Sequence, residues 1–271
     1  HVEMDGAWAL YEAWLWLQSG DADTALVYAF GKTSPSDVAR TLALQLEPYT
    51  VAPLFPDAHA LAGLQARALL DAGHATEGEL AEVAARAARD GTRNPHAVRS
   101  GDWSAEDVAS HPMLSDPLRE SQGPPVTDGC AAVVLAAGDR ARALTDTPVW
   151  IRGIDHRVES HALGTRDLTD STSTRTAARH AGLDGQPVDL VELHTRYAHE
   201  EVLLRRALGL ADDVVMTPSG GALVSDPFMA TGLARIGEAA SRLQAGDGRR
   251  ALAHAQGGPC LQQNLVTVLE A

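Results

Sequence analysis

Apolar side chains recur at helical spacing over residues 5–19, at Trp8, Leu10, Tyr11, Trp14, Leu15 and Leu17, and Gly20 follows as a stop. That period predicts a buried helix. Residues 24–30 (TALVYAF) form a short apolar run bounded by polar and glycine positions, which predicts a core strand. Three prolines make residues 48–56 irregular. Helical spacing returns over 59–72 through Leu61, Leu64, Ala68 and Leu69, and Thr76 with Glu79 three residues on is a capping box that opens another helix. Residues 94–127 are polar and broken by five prolines, so a long loop or connector is expected there. The run 130–136 (CAAVVLA) is continuously apolar, as in a strand buried on both faces. A short helix at 138–144, a strand at 149–154, a helix ending at His180 after the polar loop 164–175, and a strand at 188–194 follow. Elements at 203–210, 229–243 and a final strand at 265–269 complete an α/β pattern.

Composition narrows the function classes. The 271 residues suffice for one large or two small domains, and only 12 of them are aromatic, so Ala, Leu and Val must fill the core. A net charge of −14 argues against nucleic acid or an anionic membrane as partner, because such partners are held by clustered cations. The longest apolar runs fall well short of the roughly 20 residues a spanning helix needs. No signal-peptide pattern opens the chain, and its start on His-Val-Glu-Met rather than Met suggests a fragment or a processed chain. Two cysteines, Cys130 and Cys260, make neither a disulfide framework nor a four-cysteine zinc site, so a cytoplasmic location is expected. No solenoid-length repeat, no Walker A sequence and no Gly-x-Gly-x-x-Gly between strand and helix occurs.

Four glycine-punctuated boundaries are candidates for chemistry: Met4-Asp5-Gly6-Ala7, Leu193-His194-Thr195-Arg196-Tyr197, Pro218-Ser219-Gly220-Gly221, and the loop from His254 to Cys260. Strand-end loops let backbone N–H groups and short side chains approach a ligand, although each glycine pair can equally be a tight turn. His194 closes a strand and could polarise a carbonyl or serve as a structural histidine. It stands five residues before His199 with no cysteine near and no His-Glu-x-x-His motif, so a metal is not expected. Cys130, inside an apolar strand, reads as inert; Cys260, in a glycine loop near His254, is open to acid/base or packing roles. Asp226 before Pro227 reads as a turn residue. Of the 22 cations only Lys32 is a lysine, so an imine mechanism would have to rest on one loop side chain.

These boundaries, with Thr127-Asp128-Gly129-Cys130-Ala131-Ala132-Val133-Val134-Leu135-Ala136, resemble the thiolase superfamily, in particular its sterol-carrier-protein-X and actinobacterial "lipid-transfer" thiolase-like branch. Asp128-Gly129 and the following strand look like that branch's D-G-A-A-A-V-V-L segment, Leu193 to Tyr197 like its L-H-D-C-F, and Pro218 to Gly221 like its N-P-S-G-G. Residues 225–232 look like its G-H-P-x-G-A-T-G. The departures matter more. Where thiolases carry the acylated cysteine this chain has Val2-Glu3-Met4-Asp5-Gly6, and Asp226 stands at the G-H-P histidine, so both halves of the nucleophile–base pair are absent.

The resemblance implies a five-layer α/β/α/β/α sandwich lacking its first strand-rich segment. Residues 1–145 would be the rest of the N-terminal half, with a loop region at about 35–127, and 146–271 the C-terminal half. The opening and ending look like steroid side-chain aldolases of the branch, which implies retro-aldol cleavage of a β-hydroxyacyl-CoA in steroid or sterol side-chain degradation. On that reading His194 is the enolate or carbonyl donor, and Tyr197, Asp226, Cys260 and Glu3 are acid/base or pocket groups. Gly220, Gly221, Gly257 and Gly258 form acyl-CoA or oxyanion loops. The CoA thioester is substrate and no cofactor is required. A homo- or heteromeric dimer with a thiolase-like subunit is expected, together with an acyl-CoA-binding zinc-ribbon/OB-fold protein. The alternatives are a non-catalytic or half-catalytic subunit that completes a paralogue's site and a lipid- or acyl-CoA-binding thiolase-like protein; an ordinary thiolase would need a nucleophile that is not in view.

Overall fold

The computed structural model describes residues 1–183 and 185–271. In chain order the elements are α1 (Gly6–Ser19), β1 (Thr24–Lys32), α2 (Val38–Leu44), α3 (Ala58–Asp71), α4 (Glu77–Gly91), α5 (Ala105–Ser110), β2 (Met113–Ser115), β3 (Leu118–Arg119) and β4 (Asp128–Ala136). There follow α6 (Gly138–Leu144), β5 (Trp150–Val158), α7 (Thr172–His180), β6 (Leu190–Glu192), α8 (Ala198–Leu208), β7 (Val215–Met216), α9 (Thr231–Ala245), β8 (Arg250–Gly257) and β9 (Gln263–Glu270).

Four layers stack. An antiparallel ribbon of β1 and β4 covers α1 and α9, which lie on a five-stranded sheet of order β5-β9-β8-β6-β7, and α7 and α8 close its far face. The sheet is mixed: β9 runs antiparallel to β5 and β8, while β6 is parallel to both β8 and β7. Alanines let the middle helices sit close. Ala7, Ala13 and Ala239 meet Ala251, Ala253 and Ala255 of β8 among Leu10, Leu233, Ile236 and Leu265, and every one of these side chains is buried. On the other face Leu193, Leu203, Leu204 and Leu252 pack with Leu69 and Leu80 of the helices α3 and α4. The capping box opens α4, with Thr76 Oγ1 accepting from Glu79 N at 3.2 Å.

Several expectations from the sequence change here. β4 is not buried on both faces: it has one strand neighbour and one covered side, so alternate residues face out and Cys130 is exposed. On that outer face Leu26, Tyr28, Phe30 and Val134 are 67%, 68%, 67% and 66% exposed, and none of the described elements covers them. The region 94–127 is not one loop. It holds α5, started by Ser104 and Asp107, and the small hairpin β2–β3. β6 is shorter than the run 188–194, and His254 lies in mid-strand in β8 rather than in a loop. Alanine and glycine have low strand propensity, which hid β8; its pairing with β6 and β9 makes it a strand.

Candidate active site

Parallel pairing of β6 with β8 sets Glu192 beside Ala253, so the chain leaving β6 runs next to the end of β8. A cavity of about 410 Å³ opens there. His194, Arg196, Tyr197 and Glu200 form one wall, and residues 256–260 form another. Glu3 to Asp5 and the apolar Leu42, Leu46, Leu61, Phe228 and Met229 complete it.

His194 is buried and neutral: desolvation lowers its imidazole to about 3, against a smaller upward pull from Asp226. Gln256 N donates to its Nδ1 at 3.4 Å, which puts the proton of the neutral ring on Nε2. Nε2 is fully buried and has no hydrogen-bond partner among the described residues. His194 is one of the residues lining the cavity, and a buried donor without an acceptor is costly.

Tyr197 Oη shares a hydrogen bond of 3.0 Å with His59 Nδ1, and burial pushes the phenol well above its ordinary range, so it stays a neutral phenol. Asp226 lies buried behind the wall. Its Oδ2 accepts from Arg196 Nε at 2.9 Å, Oδ1 accepts from Thr231 Oγ1 at 2.7 Å, and the guanidinium lies over Phe228. Burial alone would raise this carboxyl, but Arg196, His194 and Thr231 outweigh it and hold it below the ordinary value. Asp226 therefore orients Arg196 and stays ionised.

Cys260 sits in a left-handed backbone position at φ 54° and gives its thiol to the Leu61 carbonyl at 3.4 Å. Arg166 clamps its loop through the Pro259 and Cys260 carbonyls. Burial pushes the thiol up to about 12, so it is not a thiolate. Glu3 stands exposed at the cavity rim. Gly257 and Gly258 line the cavity; Gly220 and Gly221 do not. Those two take left-handed conformations in a turn that packs on α4 and rests on a buried network. There Ser219 Oγ donates to Glu192 Oε2 at 2.7 Å and Arg235 donates to the same oxygen at 2.9 Å.

The structure adds groups that the sequence reading passed over. Asp5 caps α1 by accepting from Ala7 N at 2.8 Å and also accepts from Gly232 N and Leu233 N at the start of α9. Burial raises it to about 7 despite those bonds. Glu200 Oε2 accepts from Arg196 N at 2.7 Å, Tyr197 N at 3.2 Å and Gln256 Nε2 at 2.6 Å, and burial, partly offset by these bonds, raises it to about 7. The Asp5-Gly6 step ahead of an apolar helical run was a visible cap signal for the first. Glu200 stands three residues after a tyrosine rather than a Ser or Thr, so no capping-box pattern announced it. No group of three or more His, Cys, Asp or Glu side chains able to hold a metal occurs among the described residues.

Layers of helix and sheet with a cavity at the strand ends and helix starts make this an α/β protein with a buried site. No protein-family model matches the chain. It is 31% identical over 206 residues to an acetyl-CoA acetyltransferase of Methanothermobacter thermautotrophicus, covering 68% of this chain and 54% of that protein. It is 25% identical to sterol carrier protein 2 of Gallus gallus, covering 92% of this chain and 54% of that protein. Among solved structures, an SCP2-thiolase-like protein type 1 from Mycobacterium smegmatis superposes with TM-score 0.76 at 21% identity, over 100% of this chain and 61% of that one. The Ltp2–ChsH2(DUF35) aldolase superposes with TM-score 0.80 at 18% identity, over 99% of this chain and 78% of its matched chain. The chain has the fold of the thiolase superfamily and is similar in sequence to its members, sterol carrier protein 2 among them. It spans about half the length of these curated relatives.

Proposed function

We propose that this chain is a carbon–carbon lyase that cleaves a β-hydroxyacyl-CoA by a retro-aldol reaction. The observation that carries this reading is the buried, unpartnered Nε2–H of His194 in a cavity that offers no activated thiol. Removal of the β-hydroxyl proton lets the Cα–Cβ bond break. A ketone forms at Cβ, and the electron pair moves into a thioester enolate. His194 Nε2–H donates to the enolate oxygen, and a proton returned to Cα completes a shorter acyl-CoA. The reaction balances with no oxidant and no cofactor beyond the CoA thioester, and a neutral imidazole can serve as the donor that polarises the carbonyl.

Acyl transfer through a cysteine thioester needs a thiolate at the substrate. Where the resembling family has that cysteine this chain reads Val2-Glu3-Met4-Asp5-Gly6, and Cys260 is a buried thiol bonded to the Leu61 carbonyl. The apolar wall of Leu42, Leu46, Leu61 and Phe228 suits a bulky acyl chain of steroid type. We place the chain in the cytoplasm, paired with a thiolase-like subunit and an acyl-CoA-binding zinc-ribbon/OB-fold protein; the solved Ltp2–ChsH2(DUF35) aldolase is a relative in fold that pairs two proteins. The uncovered apolar face of the β1–β4 ribbon favours one second reading, a subunit that completes a partner's site.

The test is ketone release from a β-hydroxyacyl-CoA by the wild-type chain, alone and with its partner proteins, beside H194A. Loss of about 100- to 1000-fold in kcat is expected on removing an oxyanion donor. Full activity of H194A would refute the assigned mechanism.

A further inference from the structure

We propose that Glu200, at the start of α8, is the group that moves the proton in this cavity, accepting it from the β-hydroxyl and delivering it to Cα. This rests on the lyase reading above. Three facts of geometry carry it. Glu200 is a carboxyl in the cavity wall, and only one of its oxygens is anchored: Oε2 takes all three hydrogen bonds, while Oε1 takes none from the described residues. Gln256 ties it to the enolate donor, giving one Nε2 bond of 2.6 Å to Glu200 Oε2, another of 2.9 Å to the His194 carbonyl, and its backbone N–H to His194 Nδ1. The carboxyl and the imidazole are thus held as one unit on the end of β8 and the start of α8.

Among the other acids and bases lining the cavity, His161 and Glu3 are exposed to solvent and the buried ones are committed elsewhere. Asp226 is paired with Arg196 and Thr231. Both oxygens of Asp5 are occupied by backbone N–H groups at the starts of α1 and α9. Cys260 is bonded to the Leu61 carbonyl, Tyr197 to His59, and Glu3 stands in solvent at the rim. The groups facing Glu200 are the Arg196 cation and the neutral Tyr197, Gln256 and Cys260. Burial raises Glu200 to about 7, so near neutral pH it is available both as base and as acid. In the forward step its carboxylate takes the β-O–H proton as Cα–Cβ breaks. In the second step the same proton passes from the carboxylic acid to the enolate carbon, and the carboxylate is restored.

A proton carrier at Cα should also exchange the α-protons of a simple acyl-CoA, without any cleavage. The experiment incubates the full chain with acetyl-CoA in D2O and follows deuterium at the acetyl group by mass spectrometry. The same proteins are assayed for acetone release from 3-hydroxy-3-methylbutyryl-CoA. E200Q keeps an oxygen for the three anchoring donors, so the wall stays in place, and E200D serves if that variant fails to fold. Exchange in E200Q is expected to fall at least about 100-fold with acetyl-CoA affinity unchanged, in the range for loss of a positioned acid/base. Exchange within about threefold of wild type would overturn the assignment. Exchange that depends on Glu200 without acetone release would leave the assignment standing and count against the lyase reading. Acetone release that E200Q retains in full would do the reverse, and a wild-type chain that does neither would overturn both.

Discussion

Cys130 and Cys260 carry the same thiol in opposite settings. Cys130 points out from the open face of the β1–β4 ribbon, whereas Cys260 is buried, bonded to the Leu61 carbonyl and pushed up to about 12 by desolvation. Alkylation proceeds through the thiolate, so exposure and thiolate fraction act together. Native chain treated with iodoacetamide at pH 8 should therefore gain one label, on Cys130, and a second only after denaturation. Peptide mass mapping distinguishes the two positions, and rapid labelling of native Cys260 would contradict the buried thiol.

At the scale of elements, the loop that carries Asp226 and Phe228 is held by close backbone approach. A Cβ on Gly31 of β1 would overlap the Pro227 carbonyl, and one on Gly129 of β4 would touch the Pro227 ring at 3.0 Å. Two glycines facing each other across the ribbon thus make a seat for Pro227. G31A should displace that loop, with a stability loss of about 1–3 kcal/mol from overpacking and weaker acyl-CoA binding, because Phe228 and Arg196 line the cavity. Urea unfolding and acyl-CoA titration of G31A measure both; unchanged stability and binding would show that the loop does not depend on this contact.

Across the whole molecule, burial of ionisable groups sets a pH profile for stability. Desolvation lowers His194 and His199 to about 3 and His254 to about 4, against 6.5 for a free imidazole. Over that span the unfolded chain binds three protons the folded chain does not, so these groups make stability rise with pH. Asp5 and Glu200, raised by burial to about 7 from 3.8 and 4.5, make the folded chain hold two protons that the unfolded chain has lost, so they make stability fall up to about 7. Glu192, pushed up by burial, adds to this fall above 4.5, whereas Asp226, held down chiefly by Arg196, acts only below 3.8. Between 4.5 and 6.5 the three imidazoles and the three raised carboxyls pull in opposite directions, each worth at most about 1.4 kcal/mol per pH unit, and largely cancel. From 6.5 to 7 only the carboxyls act and stability falls. The urea midpoint should fall from pH 6.5 to 7, and a rise over that interval would contradict the raised carboxyls.

Local periodicity and cap chemistry made α1, α3, α4 and β1 legible from the amino-acid sequence, because apolar spacing and a cap such as Thr76 with Glu79 act over a few residues. Motif order likewise exposed the family and put His194 at a strand end. The strand β8 was not legible, since its alanines and glycine become a strand only through pairing with β6 and β9. That same pairing brings Gln256 against His194 and Glu200, 62 and 56 residues away along the chain. Whether a carboxyl titrates near neutrality, a thiol stays inert or a glycine pair meets the cavity depends on desolvation and on long-range partners. Those properties belong to the tertiary structure, which made Glu200 a reactive carboxyl, left Cys260 a packed thiol and moved Gly220 and Gly221 into a buried turn.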